Sequence, residues 1–258
     1  MLRESVIQFY DDLAENYHLI FQDWNKTILR QAEILSKLIR SKLAEPRKDV
    51  SLLDCSCGIG TQAIGLAMEG FKVTATDISP VSVERAKKEA ESRGVAIHFG
   101  VADFRSLERE ISGVFDAVLS ADNAIPHLLT DEDLDLAARN LYSKLNDDGV
   151  LLITIRDYDE LIKEKQRATP PHVFDGGKRI VFQVWDWADD AATYATNHFV
   201  VQEIDGEWVT MHSATRYRAL LRGELDRLLR AVGFVEIEWH MPEASGFYQP
   251  VVTARKKR

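Results

Sequence analysis

Residues 52–62 read LLDCSCGIGTQ, and the next apolar run, KVTATD, closes on Asp77. An apolar stretch from Val50 to Asp54 that meets a glycine turn, and then a helix starting near Thr61 or Gln62, offers bare backbone amides and the positive end of a helix to a ligand. Gly58 and Gly60 supply the turn, and Cys55 and Cys57 read as small space-fillers inside it. Asp77, at the tip of the second strand, sits where a carboxylate accepts both hydroxyls of a ribose. Together these residues predict a nucleoside-cofactor site. Gly58-Ile59-Gly60-Thr61-Gln62-Ala63 also fits the loose dinucleotide pattern G-x-G-x-x-G/A. Asp54 argues against a pyrophosphate there, because a carboxylate at the mouth of the turn repels phosphate and suits a cofactor bearing a cationic amino acid.

The elements that must position this turn follow from periodicity. From Val50 onward short apolar runs alternate with helical stretches, the pattern of an α/β doubly wound sheet. Strands are expected at 50–54, 71–76, 96–101, 114–120, 149–155, 234–240 and 249–255, and helices near 61–69, 80–93, 131–145 and 219–232. Pro80 suits a first helical turn, and Gly94 and Gly233 suit helix ends. Residues 1–45 stand apart: Phe9, Leu13, Tyr17, Ile20, Trp24, Ile28, Ala32, Leu35, Leu38 and Ile39 recur at helical spacing and predict an amphipathic arm that closes over a ligand as a lid. Residues 159–218 also stand apart. RIVFQVWDW, TYATNHFVVQEI and EWVTMHSATRYRAL alternate as antiparallel strands do, with Asp205-Gly206 as a hairpin turn between the last two. The core is then 46–158 with 219–258, and the insertion, at the carboxyl end of the sheet, is assigned to substrate recognition.

Composition narrows the partners. Lys and Arg total 32 against 41 Asp and Glu, a net charge of −9, which disfavours nucleic acid as substrate because phosphate binding needs a basic face. The basic run Arg255-Lys256-Lys257-Arg258 reads as a solvated end. No apolar run approaches the ~18 residues of a membrane span, no signal-peptide core opens the chain, and two cysteines with no clustered histidines give neither a disulfide framework nor a metal site. A cytoplasmic protein is expected, and a homo-oligomer is compatible with the sequence.

The run Asp54-x-x-Cys57-Gly58-x-Gly60-Thr61 resembles motif I of the class I S-adenosylmethionine-dependent methyltransferases. That resemblance implies a seven-stranded, mostly parallel Rossmann-like sheet and S-adenosyl-L-methionine as cofactor. It implies Asp77 with Ile78 at the ribose, Asp103 on the adenine amino group with Phe104 beside the ring, and Ala121 lining the site. Tyr17 and Trp24 are read as arm rings that face the sulfonium, and Arg30 as a group that meets the cofactor carboxylate. Farther along, Asp122-Asn123-Ala124-Ile125-Pro126-His127-Leu128 is similar to the G-N-S-x-x-H-L run of glycine N-methyltransferases and their relatives. Asn123, His127 and Leu128 match; Asp122 and Ala124 depart. Ile155-Arg156-Asp157-Tyr158-Asp159 looks like the H-R-N-Y-D segment of the same group, whose arginine holds the substrate carboxylate. A guanidinium at a strand tip is well placed to fork onto an anion, and a surface salt bridge to Asp157 or Asp159 is the plainer alternative.

The expected reaction is methyl transfer to a small acceptor, an amine bearing a carboxylate such as glycine or sarcosine, with Asn123, Arg156, Tyr158 and His127 as the catalytic set. His127 orients its loop, because a neutral amine needs no strong base. Further candidate polar groups are Tyr10, His198, His212, Arg216, Tyr217 and Tyr248. Methylation of an oxygen or carbon acceptor, and an NAD-binding oxidoreductase or sensor, are the alternatives.

Overall fold

The computed structural model describes residues 2–45 and 47–257. In chain order its elements are α1 (Leu2–Ala14), a 3-10 turn (Tyr17–Ile20), α2 (Trp24–Lys42), β1 (Ser51–Asp54), α3 (Thr61–Met68), β2 (Lys72–Asp77), α4 (Pro80–Ser92), β3 (His98–Val101), α5 (Leu107–Glu110), β4 (Phe115–Ser120), α6 (Asp131–Ser143) and β5 (Leu145–Thr154). There follow α7 (Tyr158–Glu164), β6 (His172–Phe174), β7 (Arg179–Trp187), β8 (Thr193–Ile204), β9 (Glu207–Arg218), α8 (Arg222–Val232), β10 (Phe234–His240), α9 (Pro242–Ser245) and β11 (Val251–Lys256).

Seven strands form one sheet in the order β10-β11-β5-β4-β1-β2-β3. All pairs are parallel except those of β11, which runs antiparallel to β5 and β10. Because β1 pairs with both β2 and β4, the strand order reverses at β1, and a crevice opens past the carboxyl ends of β1 and β4. Alternation along each strand sorts the core onto two faces. Leu53, Val118 and Leu151 pack under Leu134, Leu141, Leu225 and Leu229 of α6 and α8, whereas Leu52, Leu119 and Leu152 pack against Leu35, Ile39, Ala63 and Leu66 of α2 and α3. The arm's apolar stripe is therefore a structural face of the sheet as well as a cover.

The second sheet is antiparallel, in the order β6-β7-β8-β9. Asp205 and Gly206, at φ 52° and 86°, make the tight turn between β8 and β9, where Ile204 faces Glu207. Three boundaries differ from expectation. The segment 219–221 stays extended, since Ala219 and Leu220 are buried in the core, and Leu221 caps α8 through its N–H to Glu224 Oε2 (3.0 Å). β5 begins at Leu145, because Leu145 pairs with Phe115 ahead of a bulge that Asp148 makes at φ 60°. The basic tail is not wholly solvated: Arg255 and Lys256 belong to β11, and Arg255 pairs with Glu236 (3.2 Å), while Arg258 lies outside the described residues. Short α5, α7, α9 and β6 carry too few residues to show a period. Among the described residues no helix is long and apolar enough to cross a membrane.

Candidate active site

A slot lies where the carboxyl ends of β1, β2 and β4 converge. The turn that floors it is tied down: Cys57 N–H donates to Thr76 O (2.9 Å) and Gly60 N–H to Cys57 O (2.8 Å). Gly58 has φ 51°, and a Cβ there would meet nothing nearer than Tyr17 Cε1 at 3.5 Å, so the missing side chain leaves the slot open beneath the Tyr17 ring. Gly60 faces the other way. At φ 96° it starts α3, and a Cβ would strike Ile64 Cδ1 at 2.8 Å, so its role is the turn itself.

Asp77 accepts the Gly58 N–H on Oδ2 (2.8 Å) and the Ser79 N–H on Oδ1 (3.0 Å), and burial raises its pKa. Cys57, Ile78, Asp103, Phe104 and Ala121 line the slot with it. Asp103 differs in one respect. Its carboxylate is forked by Arg105, with Nε at 3.0 Å and Nη2 at 2.6 Å, and Arg105 reaches on to Asp133 (2.9 Å). Val6, Tyr10 and Tyr17 of the arm close the slot.

Trp24 is not a wall of this slot. It is buried behind the turn, against Ile28, Ile59 and Ile64, where its indole N–H donates to Thr61 Oγ1 (2.9 Å) and braces the start of α3. Arg30 stands exposed on the rim of a second, larger chamber instead of the slot. Asp54 is fully buried one residue behind the lining: Oδ1 accepts the Ser56 N–H (3.3 Å), and Oδ2 has no hydrogen-bond partner among the described residues. Burial pushes its carboxyl up to about 8, and the nearby Asp77 and Asp122 add to the rise.

The second chamber, about 450 Å³, shares Tyr10, Tyr17 and Asp122 with the slot. The backbone between them is strained: Asp122 and Asn123 both adopt left-handed φ (56° and 66°) and are held by their N–H bonds to Thr154 Oγ1 (2.9 Å) and Thr154 O (3.1 Å). Asp122 Oδ2 accepts from Gln62 (2.8 Å) and Oδ1 from the Tyr248 hydroxyl (2.5 Å). Asn123 Oδ1 accepts the Arg156 N–H (3.0 Å), and its Nδ2 donates to Tyr158 Oη (2.9 Å). Tyr158 is fully buried, with Oη also 3.1 Å from Tyr194 Oη, so it lines neither cavity and acts as a prop.

Arg156 does face the chamber. It donates to Tyr194 Oη (2.6 Å) and Gln183 Oε1 (2.9 Å), and its guanidinium carbon lies 5.0 Å and 5.2 Å from the ring centres of Trp185 and Tyr217. Asp157 and Asp159 are engaged by Arg222 instead (3.1 and 3.3 Å). Among the described residues Arg156 has no carboxylate partner. His127 lines the slot, with Nε2 at 2.8 Å from Tyr10 Oη and its ring 4.2 Å from that of Tyr217; burial pushes its pKa down to about 3, so the imidazole is neutral. His198 lines the chamber with a buried Nε2 that has no hydrogen-bond partner among the described residues. His212 is turned away to Asn197 (2.9 Å). Sequence reasoning missed Val6, Gln62, Arg105 and Gln183, whose places depend on contacts across the chain.

Residues 52–149 match a family model described as a methyltransferase domain. The glycine/sarcosine N-methyltransferase of Parasynechococcus marenigrum (strain WH8102) is 31% identical over 156 residues, 60% of this chain and 53% of that protein. That of Halorhodospira halochloris is 26% identical over 213 residues, 78% of this chain and 73% of that one. The chain thus spans about half the length of the first relative. In shape, the CcbJ methyltransferase from Streptomyces caelestis superposes with a TM-score of 0.77 over 97% of this chain and 98% of its own, at 16% identity, a likeness of fold. Residues 52–149 are thus similar to a methyltransferase domain, and the whole chain shares the fold of solved methyltransferases. S-adenosylmethionine is the cofactor that such a domain implies, and the residues present fit it: Asp77 and Asp122 line the slot and act electrostatically on the buried Asp54 beside it, which keeps one oxygen without a hydrogen-bond partner among the described residues. A cationic amino group beside it satisfies that oxygen and favours its ionised form.

Proposed function

We propose that this methyltransferase alkylates the amine nitrogen of a small acceptor that carries a carboxylate, with glycine and sarcosine as the reference compounds. The observation that carries this reading is Arg156, a fixed guanidinium that faces the chamber and, among the described residues, is paired with no carboxylate. Such a group, held by Gln183, Tyr194 and ring faces, is prepared to fork onto an acceptor carboxylate. The printed names of the two relatives, both glycine/sarcosine N-methyltransferases, support the same acceptor class.

S-adenosylmethionine supplies an electrophilic methyl on sulfur, and the protein's task is to hold a nitrogen lone pair about 3 Å from that carbon and in line with it. Tyr10, Tyr17 and Asp122, shared by slot and chamber, surround the passage between the two. Asn123 and Tyr158 fix Arg156 from behind and so set where the acceptor's carboxylate end lies. Asp122 presents a carboxylate to the amine and takes up hydrogen bonds from its N–H groups. Neutral His127 braces Tyr10.

Substituting Arg156→Ala and comparing glycine with glycinamide tests the clamp. The charge-assisted bonds lost are on the order of 1.5–3 kcal/mol, so kcat/KM for glycine is expected to fall roughly 10- to 150-fold. A fall of the same size for glycinamide would remove Arg156 as a carboxylate clamp.

A further inference from the structure

Arg156 marks one end of the second chamber, and the arm marks another. Gln183, which accepts from Arg156, lies on β7, and Val181, two residues earlier and on the same face, lines the same chamber. Two residues earlier again, Arg179 donates to the carbonyl oxygens of Leu19 and Phe21, holding the arm's turn against the sheet. At ~3.4 Å per residue, that turn is anchored about 14 Å along β7 from the Gln183 end. Glycine covers only a small part of such a span.

Volume and lining agree with the length. The chamber's 450 Å³ or so equals the liquid volume of roughly fifteen waters, within the range of about 300–1,000 Å³ that accepts drug-sized ligands. Away from Arg156 apolar side chains lead the lining, with Leu13, Ile20 and Phe21 from the arm, Val181 from β7 and Phe247 from the segment after α9, beside the polar Thr27 and His172. At the Arg156 end, His198 is the register partner of Gln183 and brings its Nε2, without a hydrogen-bond partner among the described residues, so the polar end is provided for a carboxylate and the remainder for hydrocarbon.

On the reading that Arg156 holds a carboxylate, we propose that the acceptor is an α-amino acid with a bulky apolar side group, which runs along β7 over Val181 toward Ile20 and Phe21. Glycine is then the core of the recognised structure and a poor acceptor by itself.

The test is to titrate the protein, saturated with S-adenosylhomocysteine, with glycine, leucine, phenylalanine and phenethylamine by calorimetry, and to measure labelled methyl transfer to the same four amines. Leucine and phenylalanine are expected to bind more tightly than glycine and to exceed it at least tenfold in kcat/KM, about what a few extra buried methylenes supply. Phenethylamine, lacking the carboxylate, is expected to fall below phenylalanine. Val181→Trp, which fills the apolar end, is expected to narrow the gap between phenylalanine and glycine. Glycine equal to or better than leucine and phenylalanine would overturn the apolar chamber and leave the carboxylate clamp standing. Phenethylamine equal to phenylalanine, with both above glycine, would remove the clamp and leave the chamber. Neither heat nor transfer with any of the four would overturn both.

Discussion

Asp54 and Asp77 perform different tasks with the same side chain. Asp77 is held by two backbone N–H groups at the floor of the slot, so Asp77→Ala removes a slot-lining carboxylate together with the brace on Gly58. Calorimetry with S-adenosylhomocysteine is expected to show binding weaker by about 1.5–3 kcal/mol, the scale of charge-assisted hydrogen bonds; wild-type affinity would take Asp77 out of the site. Asp54, by contrast, is protonated near neutral pH in the ligand-free protein, since burial carries its carboxyl to about 8. A ligand ammonium beside it favours the ionised form and lowers that pKa. Binding of S-adenosylhomocysteine at pH 7 should therefore release protons, seen as a binding heat that changes with the buffer's ionisation enthalpy. In Asp54→Asn the buffer dependence should largely vanish.

Among the elements, the arm and the insertion hold each other across the cleft. Arg179 is buried on β7, pairs with Asp175 (2.7 Å) and donates to carbonyl oxygens of Leu19, Phe21 and Gln22. Val6, Tyr10 and Tyr17 of this closed arm line the slot, so entry of the cofactor is expected to require the arm to open. Removing the clamp should make that opening easier. In Arg179→Ala, amide hydrogen exchange over residues 17–22 is expected to speed up at least tenfold, with KM raised for cofactor and acceptor alike; unchanged exchange there would mean the clamp does not hold the arm. The periodicity of 24–42 and the alternation in 179–187, 193–204 and 207–218 were legible because each runs long enough to show its period. The clamp was not, because Arg179 lies about 160 residues from Leu19 and nothing local marks either one.

For the whole molecule, the closed cleft has a pH signature. Burial pushes His127 and His198 down to about 3, and His18 and His240 shift the same way. In the unfolded chain imidazoles titrate near 6.5. Unfolding below that value takes up protons, so the stability that the buried His127 and His198 confer is complete above about pH 6.5 and is lost as pH falls toward 3, by up to about 1.4 kcal/mol per pH unit for each of these two. Melting temperature is expected to drop steeply from pH 7 to pH 5, and His198→Asn should flatten part of that drop; an equal slope in the variant would assign the acid sensitivity elsewhere. By itself the sequence determined the glycine turn, the acid at the end of the second strand, the alternation that makes a doubly wound sheet and the presence of an arm and an insertion. Each of these is a local pattern, set by backbone geometry or by a period of 2 or 3.6 residues. Tertiary structure alone decided which polar groups remain without a partner. Asp157 and Asp159, the salt-bridge partners the sequence offered Arg156, are taken by Arg222 from α8. Trp24 moved from the slot to its back because Thr61 of α3 offered its indole an acceptor. Pairing is a competition among groups distant in the chain, and its outcome follows only from where folding puts them.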